Sequence, residues 1–97
     1  MIRIGVAQID ITPSEPVWLV GYGDRDHRSE GTYQSLRAGA LMLCGQRDSA
    51  LLITADLIGY DLAFTAECKA LIADAIGLLP RQIALTATHT HCAPFFY

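Results

Sequence analysis

The sequence lacks several features that would place it in a familiar functional class. No apolar run approaches the roughly 18 residues that a membrane-spanning helix needs. The N-terminus does not read as a charged segment followed by an apolar run and a cleavage site. Seven basic and ten acidic residues are scattered along the 97 positions, so no basic surface is predicted. We therefore expect a soluble, cytoplasmic protein with no transmembrane segment and no nucleic-acid partner.

Motifs for nucleophilic and redox chemistry are also missing. The sequence contains no serine elbow, no phosphate-binding loop and no CxxC pair. Its three cysteines, Cys44, Cys68 and Cys92, are odd in number and widely spaced. Reduced, mostly buried thiols are therefore predicted instead of a disulfide framework. For Cys92 a buried neutral thiol is favoured over a zinc-bound thiolate.

The first third of the chain predicts one strand followed by a long loop. Apolar residues alternate over residues 2–11, and a change of phase near Ala7 and Gln8 predicts a β-bulge. The prolines of "TPSEP" end this strand. The polar segment that follows, up to residue 31, reads as a surface loop. Long loops in small domains are often functional.

The rest of the chain predicts a hairpin, a helix and a further strand. Apolar runs at 36–44 and 50–56 flank the turn sequence "GQRDS" and should pair antiparallel. Helical spacing runs from Asp61, a predicted N-cap, to a C-cap at Gly77. A short strand follows at 83–88. The fold class predicted is α/β, a mixed β-sheet with a βαβ unit.

The stretch "ALTATHTHCAP", residues 84–94, carries the most distinctive chemistry. If the strand continues through it, His89 and His91 point to the same face. Two neutral imidazoles so placed suit a zinc ion, or one ligand beside an acid–base group. A polar loop can also carry two histidines without function, so the tripeptide by itself leaves both interpretations open.

Position strengthens the functional interpretation, because the parallel crossover brings Asp56 and His89 to the carboxyl ends of neighbouring strands. Ligands bind at this margin of open α/β sheets. Asp56 either accepts a hydrogen bond from a ligating histidine, as a carboxylate behind a metal site does, or caps the following turn.

The long polar loop holds further candidates. His27 is predicted to be solvated, and Arg25 and Arg28 are solvated or bind a carboxylate. Tyr22, between two glycines, is a pocket wall or a turn residue.

Several sequence blocks together resemble the N-terminal segments of the neutral/alkaline, non-lysosomal ceramidases. They follow the family's order and span nearly the whole chain: "GVAQIDITP" (5–13), "VGYG" (20–23), "SEG" (29–31), "LRAGAL" (36–41), "LITADLIG" (52–59) and "ATHTHCAP" (87–94). The resemblance implies that residues 1–97 form a single partial domain, the N-terminal portion of a larger zinc-hydrolase domain of a divergent bacterial-type member.

The resemblance also implies an activity and a cofactor. The family's catalytic domain is a Zn²⁺-dependent amidase that hydrolyses the N-acyl bond of ceramide to a fatty acid and a sphingoid base. His89 would be a zinc ligand, and His91 would be a catalytic residue in the same active site that contacts the substrate or the metal-bound water. The family's remaining ligands, a histidine, a glutamate and a tyrosine, would lie beyond residue 97. An N-acyl lipid or another small amide is therefore the expected partner.

The chain also departs from the family pattern. Cys92 replaces a serine, and Phe95 and Phe96 stand where glycines are expected, so the substrate need not be ceramide. Two alternatives remain: an inactive fragment or interaction module that associates through exposed apolar surface, and an amidohydrolase-type metal enzyme. The second is disfavoured because its His-x-His motif normally lies on the first barrel strand.

Overall fold

A computed structural model describes residues 1–95 and shows a four-stranded sheet with one helix. The elements are β1 (Arg3–Asp10), β2 (Arg37–Cys44), β3 (Ser49–Ala55), α1 (Leu62–Ile76), a 3-10 turn (Pro80–Gln82) and β4 (Ile83–Ala87). The sheet order is β1-β2-β3-β4; the first two pairs are antiparallel and β3–β4 is parallel. The predicted mixed sheet with a βαβ unit is confirmed. Phe96, one of the two phenylalanines that stand where the family has glycines, lies outside the described residues, as does Tyr97.

The predicted bulge in β1 is wrong. Register between β1 and β2 runs one to one from Arg3 opposite Cys44 to Asp10 opposite Arg37. The phase of the apolar pattern changes for another reason: Ile4 and Val6 lie on one face of the strand and Ile9 lies on the other. A strand with apolar side chains on both faces shifts phase without an inserted residue.

Helix α1 begins and ends as its sequence predicts. The Asp61 side chain accepts a hydrogen bond from the Phe64 backbone N–H at 2.7 Å, which satisfies one of the amide donors left free at a helix N-terminus. Gly77 adopts the left-handed conformation, with φ of 74°, and its N–H donates to Ala73 at 2.9 Å. Both predicted caps are confirmed.

The helix covers one face of the sheet only. Leu51 and Ile83 from the parallel pair pack against Ala73 of α1 and form the core cluster. The opposite face carries Ile4, Val6 and other apolar side chains that remain exposed. Within the part of the chain that the structure describes, no helix is long and apolar enough to cross a membrane.

The parallel pair sets up the candidate site. Ala55 and Ala87 are register partners at the carboxyl ends of β3 and β4. Beyond them the Thr88 N–H donates to the Ala55 carbonyl and the His89 N–H donates to the Leu57 carbonyl, each at 3.0 Å. The crossover therefore brings Asp56 and His89 to one margin of the sheet, as predicted.

Candidate functional site

His89 lies just past the end of β4 in an unusual backbone conformation. The strand ends at Ala87, and His89 has a φ of 64°, in the left-handed region. The strand therefore does not continue through the two histidines, which was the condition for both rings to point to the same face. The hydrogen bond from the His89 N–H to Leu57 turns the chain away from the sheet ladder. For a residue other than glycine this conformation is uncommon and costs about 1–2 kcal/mol.

The imidazole of His89 is oriented by a backbone carbonyl. Its Nδ1 lies 2.7 Å from the Ile58 carbonyl oxygen. A carbonyl oxygen only accepts, so Nδ1 carries the proton of this hydrogen bond and Nε2 keeps its lone pair. Metal-binding histidines are oriented in this way by a carbonyl or carboxylate behind the ring. The exposed side chain of His89 thus presents one unprotonated nitrogen.

Asp56 lies at the same margin but has a different partner from the one considered above. Its Oδ2 accepts a hydrogen bond from the Arg37 N–H at 2.9 Å, and its own N–H donates to the Arg37 carbonyl at 2.9 Å. These bonds close the start of β2 against the end of β3. The structure gives the acceptor position behind His89 to the carbonyl of Ile58 and not to Asp56. A backbone acceptor has no signal in the sequence, which is why it was missed.

His91 is held beside His89 by the turn between them. The two ring centroids are 5.1 Å apart and the rings are inclined at 78°. His91 is half-buried, and its Nδ1 is buried without a hydrogen-bond partner among residues 1–95. The ring of Tyr22 approaches it edge-on, with centroids 5.1 Å apart. The two predicted site histidines are therefore brought together, although not by the geometry of a strand.

The loop that contains Tyr22 docks onto the segment after His91. The Val20 N–H donates to the Ala93 carbonyl at 3.1 Å, and Leu19 forms an isolated bridge with Pro94. Arg25 is half-buried beneath this loop, whereas His27 is exposed as predicted. The Tyr22 side chain is thus a wall of the histidine site. Gly21, the first glycine of "VGYG", is the sequence signal for this close approach.

A cavity of about 740 Å³ opens on the other side of this segment. Asp56, Thr90 and Cys92 line it together with the loops at 12–17 and 29–36, whereas His89 and His91 do not. The thiol of Cys92 is exposed and free, so the prediction of a buried thiol is wrong. Cys92 lies in the bend that begins at His91, and this bend leaves its side chain exposed. Its Sγ lies 4.0 Å from a guanidinium nitrogen of Arg25.

The described residues do not form a metal site by themselves. Catalytic zinc usually takes three protein ligands, with nitrogen, oxygen or sulfur donors. Residues 1–95 contain no group of three or more His, Cys, Asp or Glu side chains arranged to hold a metal. The donor chemistry of His89 suits zinc, and the further ligands would have to come from outside these residues.

Comparison with solved structures supports the predicted fold. A structure described as a ceramidase complexed with C2 matches with a TM-score of 0.83 and 23% identity, covering 97% of this chain and 15% of that one. Neutral ceramidase from Pseudomonas aeruginosa matches with a TM-score of 0.84 and 23% identity, covering 97% and 16%. No family model matches the sequence, and no curated protein matches it. The chain therefore shares its fold with about one sixth of these bacterial enzymes.

Proposed function

We propose that this chain provides the first zinc ligand and an acid–base group of a zinc-dependent amide hydrolase resembling neutral ceramidase. The enzyme would cleave the amide of an N-acyl lipid to a fatty acid and an amine. The observation that carries the proposal is the state of His89: a left-handed backbone, with Nδ1 bonded to the Ile58 carbonyl. His89 would hold the metal through Nε2, and His91 would act on the substrate.

The backbone strain at His89 supports a functional role. Residues held in sparsely populated conformations cluster at active sites, where surrounding contacts fix them. Here two hydrogen bonds fix His89, one from its N–H to Leu57 and one from its ring to Ile58. A glycine or an asparagine would adopt this left-handed conformation with less strain. A histidine that had no function would therefore not be expected at this position.

The chemistry divides between the zinc and the protein's own groups. When bound, zinc supplies Lewis-acid polarisation of the amide carbonyl. His89 orients its lone pair toward the metal position because Ile58 fixes its ring. His91, 5.1 Å away between ring centroids, lies close enough to donate a proton to a substrate held at the same position.

The substrate class rests on the likeness to solved ceramidases together with the sequence blocks described above. One of those structures is described as complexed with C2. The exposed ring of Tyr22, which contacts His91, adds apolar surface on which a lipid chain can pack. An N-acylated long-chain amine is therefore the substrate to test first.

The test is hydrolysis of a fluorogenic N-acyl sphingosine by the full-length protein, meaning a protein that contains this chain together with the further zinc ligands expected outside it. Wild type should be active with zinc, lose activity to a chelator and recover it when zinc is returned. His91→Ala should lower kcat by roughly 10²–10⁴-fold, the usual contribution of a general acid or base. His27→Ala, which changes an exposed histidine far along the loop, is the control and should retain activity. Hydrolysis that survives both chelation and His91→Ala would exclude this function.

A further inference from the structure

We propose that Gly21 and Tyr22 are positioning residues that hold His91 in one tautomer, with the proton on Nε2, so that His91 serves as a hydrogen-bond donor to the substrate. This inference rests on the proposed function for its catalytic meaning. The tautomer itself is a property of the protein without zinc or substrate and is tested separately.

Gly21 is the residue that the His91 ring packs against most closely. Its φ is 105°, and a Cβ built on it would lie 2.5 Å from Cγ and 2.6 Å from Nδ1 of His91. Cβ atoms essentially never approach other atoms closer than 3.0 Å. Any other residue at this position would displace the imidazole and would also strain the backbone. The absence of a side chain at Gly21 therefore defines where the ring of His91 lies.

Tyr22 fixes the ring from a second direction, and Arg25 supports Tyr22. The Tyr22 and His91 rings meet edge to face. The Arg25 guanidinium lies 4.9 Å from the centroid of the Tyr22 ring and donates a hydrogen bond to the Val20 carbonyl at 2.5 Å. A cation over the tyrosine ring stabilises its orientation. The three residues form a clamp, defined here as Gly21, Tyr22 and Arg25.

The clamp favours one tautomer because it buries one nitrogen. Nδ1 of His91 lies against Gly21 and has no partner, so a proton there would be a buried donor without an acceptor. Such a donor is unfavourable, because it loses its hydrogen bonds to water and gains none in the protein. Buried N–H groups without a partner are rarer in proteins than unpaired acceptors, so the bare lone pair is favoured at Nδ1 and the single proton of the neutral ring lies on Nε2. Nε2–H is the donor needed to stabilise negative charge developing on an amide oxygen.

The experiment combines nitrogen-15 NMR of the histidine rings with kinetics on the full-length protein. Wild type should show the Nε2–H tautomer for His91 at a pH where the ring is neutral. Gly21→Ala should shift the His91 signals, abolish the NOE between the His91 and Tyr22 rings, and lower kcat by roughly 100-fold, the effect of a misplacement of about 1 Å. Its zinc content should not change, because His89 is oriented by Ile58 and not by the clamp.

Matched variants separate positioning from general damage. Gly23→Ala is the control for Gly21→Ala, because a Cβ at Gly23 meets nothing within 4 Å. Tyr22→Phe keeps the ring contact and should leave the His91 NMR signals unchanged, whereas Tyr22→Leu should reproduce the NMR change and the fall in kcat that Gly21→Ala causes. This pair decides the question if Gly21→Ala does not fold.

The clamp would be overturned by an Nδ1–H tautomer for His91 in wild type, or by unchanged His91 signals in both Gly21→Ala and Tyr22→Leu. Unchanged kcat in these variants of an active enzyme would also overturn it. If wild type neither binds zinc nor hydrolyses the amide, the proposed function fails. The NMR comparison then still establishes or overturns the tautomer assignment.

Discussion

At the scale of single residues, the blocks that resemble the ceramidases have local structural tasks. The Asp10 carboxylate accepts a hydrogen bond from the Thr12 N–H at 2.8 Å, and the Thr12 hydroxyl accepts one from the Leu36 N–H at 2.9 Å. These bonds tie the end of β1 to the start of β2. The "DITP" block can therefore be explained by turn chemistry, whereas the histidines of "THTH" have no comparable structural task.

His27 provides a pH-dependent test at this scale. Its Nδ1 lies 2.7 Å from Asp26 and its Nε2 lies 3.5 Å from Glu30. The hydrogen bond to Asp26, followed by the charges of Glu30 and Asp26, raises the pKa of His27 above its ordinary value of 6.5. A raised pKa in the folded state means that this contribution to stability is complete below pH 6.5 and is lost as the pH rises through the folded-state pKa.

We expect an NMR titration of His27 to give a pKa above 6.5, and Asp26→Asn to lower it toward that value. Glu15→Gln, which removes a carboxylate elsewhere in the loops, is the control. A pKa for His27 at or below 6.5 in the wild type would contradict the contacts described.

At the scale of elements, structure that depends on neighbouring residues could be predicted from the sequence, whereas structure that depends on contacts between distant residues could not. The hairpin and both helix caps follow from turn and cap residues that act within four or five positions. The sequence predicts the end of β4 to within one residue. The left-handed conformation of His89 could not be predicted, because it depends on hydrogen bonds to the carbonyls of Leu57 and Ile58, about thirty residues earlier. The predicted bulge is wrong because every residue of β1 is exposed, so its apolar side chains lie on both faces and their phase does not mark a single buried face.

The C-cap of α1 at Gly77 can be tested by substitution. Gly77→Ala should lower the free energy of unfolding by about 1–2 kcal/mol, because alanine must adopt the left-handed conformation that Gly77 holds. Gly31→Ala is the control, since its Cβ meets nothing within 4 Å and no positive φ is involved. Urea unfolding measures both. Equal stabilities of the two variants would contradict the cap geometry.

At the scale of the whole molecule, the chain is extended for its length. Its radius of gyration is 15.5 Å, against about 12.5 Å for a compact domain of this size. One face of the sheet is covered by α1, and the other exposes Ile4 at 66% and Val6 at 79%. Exposed apolar surface of this kind favours association. We infer that the 97-residue chain by itself self-associates through this open face.

This inference predicts the effect of charge on the open face. Val6→Lys should reduce the apparent mass of the 97-residue chain measured by size-exclusion chromatography with light scattering, because it places a charge in the apolar surface. Leu62→Lys is the control, since Leu62 is 89% exposed at the start of α1 and away from that face. A reduction by both variants, or by neither, would show that association does not use the open face.

The central claim is that His89 binds a metal, and the zinc content of the purified full-length protein tests it most directly. The protein is dialysed against trace zinc, and its zinc content is measured by atomic emission. Wild type and His27→Ala should hold close to one zinc per chain, and His89→Ala should hold almost none. Circular dichroism should show that His89→Ala retains its fold. Equal zinc content in His89→Ala and His27→Ala would contradict the assignment of His89 as a ligand.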